Sequence, residues 1–391
     1  MLTTLTDHEY LALNSTCSFA DGHAYHELPG GLEGVVNKLP TIWHDCNQTK
    51  VRDMEQSFKR EWANLLDSSE LLRHKHFRVS PTASNSIDIV ATLLAERAPR
   101  VLLIEPTFDN LYLMLKRRGC EVSPLNEQLM IEAIDQNRLA ELLDSYSFDT
   151  LFLVNPNNPT GYLIREQQFI VVAEYCQRYN KVLVVDSTFR FYAKAPFNDY
   201  AALLKAGGSF VVIEDTGKTW PTQDMKSSMI VYSEDLAEGL EKFYEEIYLC
   251  HSRFVMGVFV DLFRRTAEVG LEQALMQEIG LRRGKVRDLL ANTNFRCITD
   301  NSATVMPVEW IDVSGSGKTD AELIKQFMSH GFHCLPGSHF FWHAYYERGV
   351  HSSRFIRISL ARPSAVFEKG LVLLREICEE TNLARVTVSV E

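Results

Sequence analysis

The chain has 391 residues, enough for two or three domains around a substantial core. Its 46% apolar and 23% charged residues are those of a soluble globular protein, and a formal charge of -11 argues against non-specific affinity for nucleic acid. A secretory signal pattern is not evident and no apolar run approaches a membrane span, while eight cysteines lack zinc-like or CxxC spacing, so the expected location is a reducing cytoplasm, away from membranes.

Residues 1–45 read as an arm rather than a compact domain. Glu9-Tyr10-Leu11-Ala12-Leu13 begins a helix, but Asp21-Gly22-His23 and Leu28-Pro29-Gly30-Gly31 break any long element. Phe19, Tyr25, Leu39, Ile42 and Trp43 are costly to leave in water, so the arm is expected to cross another surface. From about residue 50 the pattern turns helical through Met54, Phe58, Trp62, Leu65 and Leu66. Ser80-Pro81-Thr82-Ala83-Ser84-Asn85-Ser86 then leads into an apolar helix over 87–94, and small residues at a helix start suit an anion.

Buried strands are expected at 101–104, 150–154, 182–185 and from Phe210, with a short one at 121–123 and helices between them. That alternation defines an α/β, mostly parallel, doubly wound large domain over 46–285. A composition change near 285 opens a smaller α+β region, 286–391, with strands at 304–306 and 355–360, a helix over 321–329 and a closing helix. Gly315-Ser316-Gly317-Lys318-Thr319 imitates the end of a phosphate loop, but Asp312 stands where that motif needs glycine, and the stretch reads as a surface loop.

The strand ends carry the chemistry. Asn155-Pro156-Asn157-Asn158-Pro159-Thr160-Gly161 follows one strand, Asp186 ends the next, and Glu214-Asp215-Thr216-Gly217-Lys218 ends a third. Open α/β sheets bind ligands at such ends. An amide, a carboxylate and a lysine are what pyridoxal 5'-phosphate requires: Lys218 to hold it covalently and move the substrate's Cα proton, Asp186 to keep the ring nitrogen protonated, Asn158 to donate to the ring oxygen. Phe108 is placed to cover the ring, Ser84, Asn85, Thr216 and Lys226 to surround the phosphate, and Arg357 to clamp a substrate carboxylate.

The set Asn158-Pro159-Thr160-Gly161, Asp186, Lys218, Lys226 and Arg357 resembles the fold type I aminotransferases over almost the whole chain. Two positions depart from it: Lys226 replaces the usual arginine eight after the lysine, and Phe189 the usual tyrosine three after the aspartate. A narrower resemblance absorbs both. Tyr10 to Ser15, Ala20 to Ala24, Pro106 to Asn110, Asp186 to Arg190 and Glu214 to Lys218 are similar to the pyridoxal-phosphate-dependent, O2-using arginine oxidases and hydroxylases of non-ribosomal peptide and alkaloid biosynthesis.

That resemblance implies an arm that closes over bound L-arginine, with Glu9 and Asp215 bracketing the guanidinium. It further implies that Thr188 takes the place of a smaller hydroxyl residue near the ring, while Gly22 allows a tight bend by which Asp21 and His23 are expected to turn together toward the substrate. The implied reaction consumes O2 and yields 2-oxoarginine and/or a 4,5-unsaturated 2-oxo product, with ammonia and peroxide. The alternatives are 4-hydroxylation to 4-hydroxy-2-oxoarginine and ordinary transamination. A homodimer with shared sites is also implied, and no metal.

Overall fold

The computed structural model describes residues 4–388, with side chains through Thr381. Seven strands form the larger sheet: β1 (Phe77–Ser80), β2 (Arg100–Glu105), β3 (Glu121–Asn126), β4 (Thr150–Val154), β5 (Val182–Asp186), β6 (Phe210–Asp215) and β7 (Ser228–Tyr232). They are ordered β1-β7-β6-β5-β4-β2-β3, and only β7 runs against its neighbours. Every residue of β4, β6 and β7 is buried. Strands covered on both faces must read as continuous apolar runs, which is why the sequence pattern located them.

The smaller sheet is antiparallel, ordered β10-β11-β9-β8, from β8 (Arg296–Cys297), β9 (Val308–Asp312), β10 (Leu335–Pro336) and β11 (Phe355–Ser359). The strand expected at 304–306 is absent: Thr304 makes one isolated bridge to Ala193, and pairing begins at Val308. Two strands of the larger sheet, β1 and β7, had no forecast. The Gly315–Thr319 stretch does join a strand to a helix, Asp320–Ser329. Thr319 caps that helix in a capping box with Glu322, and the Lys318 amine goes to Gln326, so no phosphate cradle forms.

The expected boundaries at 45 and 285 fall inside the helices Gly34–Gln48 and Gln277–Leu290. Residues 4–33 lead into the first of these. Their helix Leu5–Leu13 buries Leu5 and Ala12. The following stretch threads between the two sheets: Phe19 N–H donates to His333 O at 2.7 Å, Ser359 N–H to Phe19 O at 2.8 Å, and Ala24 N–H to Gly217 O at 3.0 Å. This pairing gives the extended arm backbone its partners, so it is seated rather than frayed.

Behind the turn after β6 lies an aromatic core. Trp220 packs edge-on to Trp62 and Phe191, and its Nε1 donates to Thr266 Oγ1 at 3.0 Å. A buried aromatic of this size is worth about 3–5 kcal/mol against alanine. Two residues upstream, Lys218 therefore leaves a rigid base.

Candidate active site

The carboxyl ends of β2, β4, β5 and β6 open onto a cleft bordered by Ser84, Phe108, Asn158, Asp186, Thr188 and Lys218, with Glu9, Gly22 and Arg357 opposite. Parallel neighbours bring these ends together, since Val154 pairs with Asp186 and Asp186 with Ile213.

Asp186 is buried, and burial pushes its carboxyl up to about 6 against the hydrogen bonds it accepts. Thr188 holds one of its oxygens twice, from N–H at 3.0 Å and from Oγ1 at 2.5 Å. Asn158 offers its side-chain oxygen to Arg357 Nη1 at 3.2 Å, leaving the amide nitrogen as donor to a ligand. Arg357 is 1% exposed; it also donates to Ala20 O, and its guanidinium lies 5.9 Å from the Phe108 ring centroid and 5.5 Å from that of Phe340.

From the arm, Glu9 Oε1 reaches to 3.7 Å from Arg357 Nη2. Burial, reinforced by Asp21, pushes the Glu9 carboxyl up to about 7 despite Lys218 and Arg357. His23 Nε2 lies 3.2 Å from Lys218 Nζ, and its Nδ1 lies 2.5 Å from Asp21 Oδ1. Burial of Asp21 works to raise its carboxyl, but the hydrogen bond and charge of His23, with Lys218, hold it well below the ordinary range. His23 is lowered by burial and by Lys218, against Asp21. An amine, an imidazole and a carboxylate thus form one proton-exchanging chain.

Gly217 permits this approach, because a Cβ there would meet Lys226 Cγ at 3.0 Å and His23 Cδ2 at 3.3 Å. At Gly22, by contrast, no left-handed backbone occurs and a Cβ would make ordinary contact with Arg357, so the bend at 21–23 does not depend on glycine's freedom.

Three residues expected at the ligand carry hydrogen bonds within the chain. Asp215 is buried, and its carboxylate accepts from Ala83 N–H at 3.3 Å and Lys218 N–H at 3.2 Å, clipping the helix start to the lysine turn. Thr216 turns inward, its Oγ1 donating to Ser227 O at 3.0 Å and accepting from Ser227 N–H at 2.8 Å. Asn85 Oδ1 accepts from the cap residue Thr82 Oγ1 at 2.8 Å. Ser84 alone of that group faces the cleft, at the start of the helix Ala83–Arg97, and Lys226 lies across Gly217 with its amine 3.8 Å from Asp224.

Sequence reasoning passed over Arg362, Tyr192 and Glu127. Arg362 Nη2 donates to Asp21 O and His23 O, each at 2.6 Å; its only signal was a second arginine five places after Arg357. Tyr192 OH donates to Lys218 O at 3.0 Å, and Glu127 Oε1 accepts from Asn157 Nδ2 at 2.7 Å and Thr160 Oγ1 at 2.9 Å, bracing the Asn158 loop.

A lysine at the cleft floor, a buried carboxyl at a neighbouring strand end, an amide donor and a helix start fit pyridoxal phosphate as a donor set. Residues 41–371 match the aminotransferase class I and II family, and the chain belongs to that family. The structure of MppP soaked with the product 2-ketoarginine is similar at TM-score 0.82 and 30% identity, covering 93% of this chain and 99% of that one. Aspartate aminotransferase of Musicola paradisiaca is 20% identical over 363 residues, 88% of this chain and 86% of its own. Histidinol-phosphate aminotransferase of Deinococcus radiodurans is 27% identical over 163 residues, a match spanning 41% of this chain and 43% of that protein. Among the described residues no helix is long and apolar enough to cross a membrane, and no cluster of three or more His, Cys, Asp or Glu side chains is placed to hold a metal ion.

Proposed function

We propose that this chain oxidises L-arginine with O2, using pyridoxal phosphate, to 2-oxoarginine, ammonia and hydrogen peroxide, with a 4,5-unsaturated 2-oxo acid where a second O2 is consumed. The observation that carries the reading is the arm, which seats His23 at 3.2 Å from Lys218 Nζ and Glu9 in the cleft wall. The likeness to MppP, whose soaked product is 2-ketoarginine, supports the substrate.

When bound, pyridoxal phosphate supplies an electron sink for the substrate's Cα. Lys218 would hold it, Asp186 would face its ring nitrogen, Asn158 its ring oxygen, Phe108 a ring face, and Ser84 with Lys226 its phosphate. The substrate carboxylate replaces Glu9 at Arg357, and the released Glu9 receives the guanidinium: one internal ion pair is exchanged for two with the ligand. His23, oriented by Asp21, takes up and returns protons at Lys218 Nζ. The seated arm excludes water. Phe189 offers no hydroxyl to the ring oxygen, a difference from a transaminating site that favours the oxidase reading.

The reading extends to an arm of 1–45 closing over a large domain of 46–285 and a small one of 286–391, in a cytoplasmic homodimer with shared sites. Ammonia and peroxide are followed during incubation with L-arginine, with and without air and with added 2-oxo acids. Oxygen-dependent release without a 2-oxo acid is expected. Turnover that needs a 2-oxo acid and ignores oxygen makes the protein a transaminase. Mass analysis in labelled water separates the 4-hydroxy product by its added oxygen.

A further inference from the structure

The Tyr25 hydroxyl stands between two carboxylates, 3.0 Å from Asp21 Oδ2 and 2.8 Å from Asp224 Oδ1. A phenol has one hydrogen to give. Burial and the charge of Asp21 raise the Tyr25 phenol, so it keeps that hydrogen through the physiological range. Asp21 receives His23 on its other oxygen, whereas the Asp224 side chain is 63% exposed. Asp224 and Gln223 both hold positive φ, 68° and 51°, a tight turn that presents the carboxylate to the arm. The Tyr25 ring is held under the Arg362 guanidinium, 4.8 Å from its centroid.

We propose that Tyr25 is a positioning residue that divides one hydrogen bond between Asp21 and Asp224, and so sets the proton affinity of His23 beside Lys218 from a carboxylate at the protein surface. The proposal rests on the reading above that His23 exchanges protons with Lys218.

The charged groups around His23 define the sign of the effect. Asp21 faces it from the arm, Lys218 and Lys226 from the turn and loop after β6, and Arg362, after β11, holds its carbonyl; Arg357 lies beyond Gly22, and Glu9 acts on Asp21. Donation to Asp21 spreads that carboxylate's charge and lowers its support for protonated His23. Donation to Asp224 restores that support. Tyr25→Phe, which keeps the ring under Arg362, therefore raises the proton affinity of His23. Asp224→Asn, suited to a positive φ, commits the phenol to Asp21 and lowers it.

The test is a histidine-ring NMR titration of the full-length, cofactor-bound protein, with the His23 signal identified by its loss in His23→Gln. Each single variant is expected to shift the His23 midpoint by at least about 0.5 pH unit, roughly threefold in affinity, in opposite directions. In a Tyr25→Phe background the effect of Asp224→Asn should largely vanish, because the hydroxyl that transmits it is gone. Equal Asp224→Asn shifts in both backgrounds would mean action through space and overturn the proposal, as would shifts of one sign or none. The titration needs no turnover, so failure of arginine oxidation would leave it readable. Conversely, an intact oxidase with an unmoved His23 would sink only the role of Tyr25.

Discussion

Glu9 and Arg357 face each other at 3.7 Å, an acid from the first helix of the arm against an arginine on the smaller sheet. Arg357 is already served by Asn158 and Ala20, so Glu9 is its least committed partner. The pair sets a guanidinium against the very acid proposed to receive one.

Burial and Asp21 push the Glu9 carboxyl up to about 7. A raised carboxyl is neutral below that value and charged above it, so affinity for L-arginine should climb as pH rises through about 7 and then level off. Glu9→Gln should weaken binding roughly 10- to 100-fold above that point and flatten this part of the profile, since a charge-assisted pair is lost. Spectral titration of the bound cofactor with L-arginine at several pH values measures both.

Asp215→Asn tests the clip between Ala83 and Lys218. An amide oxygen replaces one of two carboxylate acceptors, at a cost of about 1.5–3 kcal/mol in a buried site. Cofactor retention should fall, and use of L-arginine and of an uncharged amino acid of equal length should fall by the same factor. Comparing kcat/KM for the two substrates decides it. A loss confined to arginine would restore Asp215 to the guanidinium.

These two acids mark how far the sequence could be read. Strand ends are legible because parallel strands buried on both faces leave apolar runs, and the residues that follow must sit at one edge of the sheet. Lys218, Asp186 and Asn158 were placed by that logic, and Arg357 as a charge set inside an apolar strand. The direction in which a side chain turns is not written in such a run. Asp215 and Thr216 lie beside Lys218 in sequence yet turn toward backbone amides, because the start of the helix Ala83–Arg97 and the edge of β7 pack there. Pairing across long separations was equally hidden: Arg362 meets the arm 339 residues from His23. β7 went unforecast because its five residues follow a turn with no helix between, breaking the alternation that revealed its neighbours.

Beneath β6, Arg190 donates to both oxygens of Asp199 at 2.8 and 2.9 Å and to Glu214 at 2.9 Å, while Tyr200 OH donates to Glu214 at 2.6 Å. All four are buried. Arg190→Ala strands two acids without a cation and should cost about 3–5 kcal/mol of stability, read from the denaturant midpoint at constant slope. A change under 1 kcal/mol would mean that water reaches the pair.

The Glu127 carboxyl is pushed up to about 7 by burial in spite of the hydrogen bonds from Asn157 and Thr160. Its ordinary value is 4.5, so between 4.5 and about 7 the folded chain binds a proton that the unfolded chain has released. Stability from this group is fully present below 4.5 and is lost as pH rises through about 7. Glutamine keeps an oxygen for both donors and does not titrate. Glu127→Gln should therefore gain on the native protein as pH rises from 4.5 to 8, by up to about 3 kcal/mol. Denaturant midpoints of both proteins at the two pH values give the difference directly, and groups common to both, Glu9 included, cancel. Glu127→Ala removes the brace itself, so the Asn158 loop loosens and cofactor affinity should fall at every pH. If Glu127→Gln instead loses ground as pH rises, Glu127 is held in its charged form and the brace is ionic.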